Sequence, residues 1–180
     1  MAGFATKTFM THDDYMTPRY AWEAIKDYIP KDKVIWEAFY GDGESGNILK
    51  DMGFDTIHEP IDFFEENKGD IVVSNPPFSK CPDVLARLVA LEKPFIMIMP
   101  SSKINTQYFR RLFSGHEDPV QIIIPRKRIH FTKLVDGKVP EDFKSVCNFD
   151  CFYYCWKMDL PRDIIWLEDA DVCREAKGDG

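Results

Sequence analysis

The sequence lacks any apolar run long enough to cross a membrane, and its N-terminus lacks the charged and then apolar pattern of a secretory signal. No internal repeat and no low-complexity tract occurs in its 180 residues. These absences argue against membrane-spanning, secreted and repeat proteins. We therefore expect no membrane partner and an intracellular location.

Paired cysteines of the CxxC type are also missing, although the chain has five cysteines. Cys147, Cys151 and Cys155 are spaced four apart, which on a strand would put them on one face, so a metal site has to be considered. Close-paired ligands and a neighbouring histidine are absent from the pattern, however. We predict reduced, partly buried thiols and no bound metal.

An excess of positive charge is missing: the net charge is −7 and the pI about 5.1, which does not indicate a surface coated for nucleic acid. Hydrophobic residues, by contrast, make up 44% of the chain, enough to fill the core of one domain of this length. We expect a single domain over residues 1–180, with 169–180 as a charged, frayed tail.

Apolar or β-branched runs predict seven strands. They lie at residues 34–38, 54–57, 71–74, 95–99, 120–124, 151–156 and 164–167. Helical patterns lie before the first run, at residues 18–29, and between later runs, at residues 46–52, 82–91 and 105–113. This alternation predicts an α/β fold, a mostly parallel seven-stranded sheet with helices on both faces. The short connection 157–163 predicts that the last two strands form a hairpin, which gives a late antiparallel strand.

The tetrapeptide Asn75-Pro76-Pro77-Phe78 follows the third predicted strand directly. Asn supplies an acceptor oxygen, the first proline stiffens the loop, and Phe78 offers a ring for stacking. Acceptors aimed at the two hydrogens of a delocalised amine favour a tetrahedral nitrogen whose lone pair localises in the transition state. A proline-rich turn between a strand and a helix is the alternative interpretation.

A glycine-rich turn follows the first predicted strand, in the run Glu37-Ala38-Phe39-Tyr40-Gly41-Asp42-Gly43. Glycines allow positive φ and a close backbone approach to a ligand at the carboxyl end of a strand. The spacing is not the dinucleotide fingerprint, because Glu44 follows Gly43. Acidic residues around the loop favour a ligand with an ammonium or sulfonium group over a phosphate. A plain strand-to-helix turn remains open as the alternative.

These two segments together resemble motifs IV and I of the S-adenosylmethionine-dependent amino methyltransferases, with Glu37 in the place of the commoner Asp. Thr17-Pro18 is similar to the segment, often called motif X, that precedes motif I in phage-encoded and related DNA adenine methyltransferases. The resemblance covers residues 13–156. It implies a Rossmann-like class I methyltransferase fold, S-adenosyl-L-methionine as cofactor, and Asn75 to Phe78 as the catalytic segment.

The resemblance also implies a set of cofactor contacts. Glu37, with Phe39, Tyr40, Gly41 and Gly43, corresponds to the positions that face the methionine moiety. Further residues implied to bind the cofactor are Glu59 at the ribose, Asp62 and Phe63 at the adenine, Thr17 and Pro18 on the N-terminal side, and Asn75. For Glu59 a solvated surface position is the alternative, and for Phe63 a place in the core.

Basic residues are concentrated after the predicted strand 120–124, in Arg126, Lys127 and Arg128. With Lys103 and Arg110, they are candidates for a phosphate-binding rim around a flipped base. A solvated loop is the alternative. Only residues 131–150 could form a small substrate-recognition insertion. This segment is short for a module that recognises several base pairs, so a homodimer or a partner subunit is a further possibility.

The function that follows is methyl transfer to an exocyclic amine, with N6 of adenine in DNA as the first choice. Adenine in RNA is the second choice, and a glutamine side chain in a protein the third. A non-catalytic methyltransferase-like subunit that binds nucleic acid is the alternative from another class.

Overall fold

The computed structural model describes residues 15–41, 43–133 and 149–168. Nine strands occur in these ranges: β1 (Tyr15–Met16), β2 (Ile35–Trp36), β3 (Thr56–Ile57), β4 (Ile71–Ser74), β5 (Phe95–Pro100), β6 (Val120–Ile124), β7 (Thr132–Lys133), β8 (Cys151–Trp156) and β9 (Ile164–Trp166). The α-helices of the same ranges are α1 (Arg19–Glu23), α2 (Glu44–Asp51), α3 (Cys81–Ala90) and α4 (Gln107–Phe113). Short 3₁₀ helices cover Lys26–Tyr28, Phe78–Lys80 and Ser101–Asn105.

Seven strands form one mixed sheet in the order β3-β2-β4-β5-β8-β6-β9. All seven match the runs predicted from the sequence. Strand β8 is antiparallel to both of its neighbours, β5 and β6, whereas the other pairings in this sheet are parallel. The predicted α/β architecture with a late antiparallel strand is therefore confirmed at this level.

The two faces of the sheet bury separate sets of side chains, as the alternation along a strand requires. Ile71 and Val73 of β4 belong to a core that also contains Trp22 of α1 and Leu49 of α2. Val72 points to the other side, where it joins a core shared with α3 and α4. Helices consequently cover both faces. In the described part of the chain, no helix is both long and apolar enough to cross a membrane.

The predicted hairpin of the last two strands is wrong. Both edges of β8 are occupied, by β5 and β6, so β9 crosses over and pairs with the far edge of β6. Gln121 orders the connection: its Nε2 atom donates to the Leu160 and Arg162 carbonyls at 3.0 and 3.1 Å, and its Oε1 atom accepts from the Leu160 N–H at 2.9 Å. The short connection between β8 and β9 therefore passes over β6 and does not make the two strands a pair.

Two short strands that the sequence did not predict bring distant segments together. Strands β1 and β7 pair antiparallel, with Tyr15 opposite Lys133 and Met16 opposite Thr132. The N-terminal segment is also held where the Tyr20 hydroxyl accepts a hydrogen bond from the His130 N–H at 2.8 Å. The segment that carries Thr17 is therefore fixed beside the loop that follows β6.

Candidate functional site

The predicted site residues come from the carboxyl ends of β2 and β4, which are neighbours in the sheet. Glu37 follows β2, and Asn75 follows β4, whose last residue is Ser74. Parallel strands end at the same edge of a sheet, and this edge is where open α/β sheets bind ligands. The two motifs, separate in sequence, therefore lie side by side.

Glu37 is a buried carboxylate, with only 1% of its surface exposed. Its Oε1 atom accepts a hydrogen bond from the Ser74 hydroxyl, and its backbone N–H donates to the Ile57 carbonyl at 2.9 Å. A buried acidic side chain is costly unless hydrogen bonds or a cation compensate it. Its place at a strand end thus suits a ligand that carries positive charge.

The tetrapeptide is half-buried at Asn75 and Phe78 and buried at the two prolines between them. The Oδ1 atom of Asn75 is buried, and Pro76 and Pro77 are buried residues. Phe78 opens the 3₁₀ helix Phe78–Lys80, and its half-buried ring meets those of Phe149 and Phe131 edge-on, at centroid distances of 5.3 and 6.2 Å. The segment is held by packing, so its polar groups and its ring have fixed positions.

The glycine-rich turn has the backbone that its sequence predicts. Gly41 and Gly43 adopt φ values of +57° and +83°, in the left-handed region that favours glycine. A Cβ atom on Gly43 would lie 3.1 Å from the Tyr40 hydroxyl, and one on Gly41 would lie 3.4 Å from the Met16 sulfur. Gly43 is also the N-cap residue of α2, so the turn presents the start of this helix.

The N-terminal segment lies against the same turn, because Met16 contacts Gly41. Thr17, the next residue, is 4% exposed, and its buried Oγ1 atom has no hydrogen-bond partner in the described ranges. Pro18 is half-buried and is the N-cap residue of α1. The structure thus brings Met16, which directly precedes Thr17 and Pro18 in the sequence, to the glycine-rich turn, which the sequence alone did not require.

His58 is a further residue of this region, and the sequence analysis missed it. It follows β3 directly, stacks on Tyr40 with a centroid distance of 5.8 Å, and sits so close to Gly46 that a Cβ atom there would overlap its ring. Its buried Nδ1 atom lacks a hydrogen-bond partner among the described residues. Burial lowers the pKa of His58 below 6.5, Lys50 acts in the same direction, and Glu59 opposes them. In the sequence, the one sign of this contact is Gly46, a glycine in the first turn of α2.

The residues predicted at the ribose and adenine of a cofactor follow β3. Glu59 is exposed, and the Oδ1 atom of Asp62 accepts a hydrogen bond from the Phe64 N–H at 2.9 Å. Phe63 is 2% exposed and packs on the rings of Trp36 and Phe39, at 5.6 and 5.1 Å. Phe63 therefore belongs to the core, and its contact with an adenine stays a prediction.

The basic candidates do not all lie together. Arg126, Lys127 and Arg128 are exposed after the carboxyl end of β6, and Arg128 forms a two-pronged pair with Asp150, at 2.9 and 3.3 Å. Lys103 is in the 3₁₀ helix that follows β5, at the same edge. Arg110, on α4, lines a groove with Ile104 and with Pro119 and Val120 at the start of β6. Lys103 therefore lies at the same edge as the loop after β6, whereas Arg110 lines a groove that extends to the start of that strand.

Cys151 and Cys155 lie in the same core, as their spacing predicts, and both are buried free thiols. Desolvation raises the pKa of Cys155. Across the described ranges, no cluster of three or more His, Cys, Asp or Glu side chains is placed to hold a metal ion. Cys147, Cys173, Asp42, the tail 169–180 and most of the predicted insertion, residues 134–148, lie outside the described residues.

Comparison with models of known protein families gives no match for this chain, and no curated protein matches it.

Proposed function

We propose that this chain transfers a methyl group from S-adenosyl-L-methionine to the N6 amine of adenine in DNA, and that its sheet is of the Rossmann-like class I methyltransferase type. One observation carries the proposal: the Ser74 hydroxyl hydrogen-bonds Glu37, and Ser74 is the last residue of β4, directly before Asn75. The acidic end of the glycine-rich turn and the amine-binding tetrapeptide are then adjacent, as a transfer from a cationic cofactor to an amine requires.

The residues at the glycine-rich turn fit such a cofactor. S-adenosyl-L-methionine has a positive sulfonium and a positive ammonium group, and Glu37 is a buried carboxylate at the end of β2. Gly41 and Gly43 have the positive φ values of a tight turn, and the backbone of the exposed Gly41 is open to a close approach. The buried Oγ1 atom of Thr17 has donor and acceptor capacity that no described residue uses. In this proposal, Glu37 holds the charged end of the cofactor and Thr17 closes over it.

The cofactor supplies an electrophilic methyl group, and the chain orients the amine. Asn75 accepts one hydrogen of the amine through Oδ1, and a carbonyl of the rigid Pro76-Pro77 turn accepts the other. The hydrogen bonds from the amine to both acceptors strengthen as the nitrogen becomes tetrahedral, so they stabilise the transition state more than the bound substrate. Phe78 stacks on the base. The proton of the methylated amine leaves to water, since no side chain is needed as its acceptor.

The choice of a nucleic acid over a protein substrate rests on the basic loop after β6, and DNA is placed before RNA because of the resemblance to DNA adenine methyltransferases. Arg126 and Lys127 are exposed at the same edge as Asn75, where they are suited to phosphates flanking an extruded base. Adenine in RNA has the same amine and the same phosphates, and a glutamine amide has a similar amine without phosphates. These two substrates are the second and third choices.

A methyl-transfer assay with tritiated cofactor tests the proposal directly. The substrates are double-stranded DNA, single-stranded DNA, RNA and a protein pool, and each product is hydrolysed and identified. We expect N6-methyladenine from DNA. Tritium in RNA adenine or in glutamine would show that the substrate is RNA or protein instead of DNA, and the proposed methyl transfer to an amine would stand.

Calorimetry separates the enzyme from the non-catalytic alternative. We expect S-adenosyl-L-methionine to bind to the wild-type chain, and Glu37→Gln to weaken this binding because a neutral amide no longer attracts the cationic groups. Absence of binding, both alone and with DNA or RNA present, would refute the proposed reaction. Nucleic-acid binding without cofactor binding would instead identify a methyltransferase-like binding subunit.

A further inference from the structure

Phe149 is an aromatic residue at the candidate site to which the sequence analysis assigned no individual role. Its ring meets that of Phe78 at an interplanar angle of 82°, with 5.3 Å between the two centroids. The ring of Phe131 also meets Phe78 at 82°, and its centroid lies 6.2 Å from those of both other rings. The three rings therefore form one compact cluster, in which Phe78 is the member that belongs to the tetrapeptide.

The backbone that carries Phe149 is fixed by the sheet. The carbonyl of Asp150, the next residue, accepts a hydrogen bond from the Ser101 N–H at 2.8 Å. Strand β8 begins directly afterwards, with Cys151 opposite Pro100 of β5. Because β8 is antiparallel to β5, its first residue lies at the carboxyl end of β5, on the edge of the sheet that carries the tetrapeptide. The sheet therefore holds the Phe149 ring against Phe78.

The two neighbours of Phe78 differ in what else they support. Phe131 is 1% exposed and is a member of the core that also contains Trp22 and Leu49. Phe149 is half-buried and packs against this core without being part of it. Loss of the Phe149 ring would consequently remove a contact of Phe78 with less damage to the core than loss of Phe131.

The orientation of the Phe78 ring matters for the proposed reaction, because the base stacks on this ring while Asn75 holds the amine of the base. An edge-to-face arrangement is a preferred geometry of two aromatic rings, so Phe149 favours one orientation of Phe78 over others. A base that tilts together with this ring would carry its amine away from Asn75 and from the methyl group. The ring contact thus constrains the reacting geometry.

We propose that Phe149 is a positioning residue for methyl transfer, which holds the Phe78 ring in the orientation that aligns the substrate base. This inference rests on the proposed function, and it adds a residue outside the tetrapeptide on which the rate depends. The next residue, Asp150, pairs with Arg128 of the basic loop at 2.9 Å. Two consecutive residues therefore contact the ring that stacks on the base and the loop that faces the phosphates.

The first test measures the kinetics of methyl transfer to DNA that lacks N6-methyladenine. Phe149→Leu keeps an apolar side chain but has no ring. We expect it to lower kcat by about tenfold, the effect of losing one edge-to-face ring pair. The KM for DNA and the affinity for S-adenosyl-L-methionine should change little, because the basic loop and the glycine-rich turn are untouched.

Phe152→Leu is the matched control. Phe152 is a half-buried phenylalanine of β8 whose ring packs on Tyr154, with 6.1 Å between the centroids. It should keep the wild-type kcat, and circular dichroism verifies that both variants are folded. Equal losses of kcat in the two variants, or an unchanged kcat in Phe149→Leu, would overturn the proposed role of Phe149.

A double-mutant cycle shows whether Phe149 acts through Phe78. Phe78→Leu alone should lower kcat by about 10- to 100-fold, since the base loses its stacking partner. In the Phe78→Leu/Phe149→Leu variant the second substitution should have no further effect, because no ring is left to orient. If each substitution lowers kcat by the same factor in both backgrounds, Phe149 does not act through Phe78 and the inference is wrong.

The wild-type chain separates this inference from the proposed function. A wild-type chain that binds no S-adenosyl-L-methionine and transfers no methyl group would refute the proposed function, and the role of Phe149 with it. A wild-type chain that is active, with additive effects of the two substitutions, would refute the role of Phe149 alone.

Discussion

The Ser74 hydroxyl donates a hydrogen bond to the Oε1 atom of Glu37, and both residues are buried at the carboxyl ends of adjacent strands. The bond spans 37 positions in the sequence. It fixes the carboxylate that follows β2 relative to the residue that precedes Asn75. A displacement of one motif would therefore change the position of the other.

We expect Ser74→Ala to lower the free energy of unfolding by about 1–3 kcal/mol, because the buried carboxylate of Glu37 loses this donor. The measurement is urea denaturation. Ser102→Ala removes an exposed hydroxyl and serves as the control, with an expected change within about 0.5 kcal/mol. Equal losses for the two variants would show that the hydrogen bond contributes nothing specific.

We expect Asn75→Ala to reduce the rate of methyl transfer by about 10²–10³-fold, the usual effect of removing one polar group that stabilises a transition state. Cofactor binding, measured by calorimetry, should change little, because Glu37 and the glycine-rich turn are untouched. Asn75→Asp is the matched variant, since it keeps an acceptor oxygen at the same place. Full activity of Asn75→Ala would refute the role given to this side chain.

The stability of the chain should fall as the pH decreases below 6.5 on account of His58. Burial lowers the pKa of the folded side chain, so the unfolded chain binds a proton first, and acid favours unfolding. Well above pH 6.5 the residue contributes no pH dependence, because it is then neutral in both the folded and the unfolded state. His58→Phe keeps a ring against Tyr40 but does not titrate.

The measurement for His58 is the free energy of unfolding of both chains between about pH 5 and pH 8. The difference between wild type and His58→Phe should grow in favour of the variant as the solution becomes acidic. A constant difference across this range would contradict the prediction.

Asp150 should act as an intramolecular competitor for phosphate at Arg128. The Arg128 guanidinium hydrogen-bonds Asp150 and lowers the pKa of that carboxyl, so the pair is charged at neutral pH. Asp150→Asn should therefore tighten DNA binding and steepen the dependence of log K on log salt by as much as about 0.9, the value for one added phosphate contact.

Fluorescence anisotropy over a salt series measures this slope. The control is Arg128→Ala/Asp150→Asn, in which the released cation is absent and the slope should return to the wild-type value. Weaker DNA binding by Asp150→Asn would mean that the ion pair holds the loop in place for DNA and does not compete with phosphate.

Local patterns were sufficient for much of the fold. The apolar runs of the central strands are visible because these strands are buried on both faces, as β4 and β5 are over their whole length. The glycine-rich turn could also be predicted from the sequence, because the positive φ at Gly41 and Gly43 favours glycine at both positions. These features depend on neighbours in the sequence.

Pairings between distant segments were not predictable in the same way. Strand order near the C-terminus depends on the side chain of Gln121, whose contacts lie about forty residues further along the chain. Strands β1 and β7 have two residues each, too few for a periodic signal. The fit of His58 over Gly46 requires α2 and β3 to be packed first. Each of these features needs the tertiary structure.

Strand β8 has a consequence for the order in which the chain can fold during synthesis. It is the eighth strand to leave the ribosome, yet in the sheet it separates β5 from β6. Until Cys151–Trp156 has emerged, β6 has no partner within this sheet, and the buried strand β5 forms an open apolar edge. A chain released before that point would expose β5, and we expect it to aggregate.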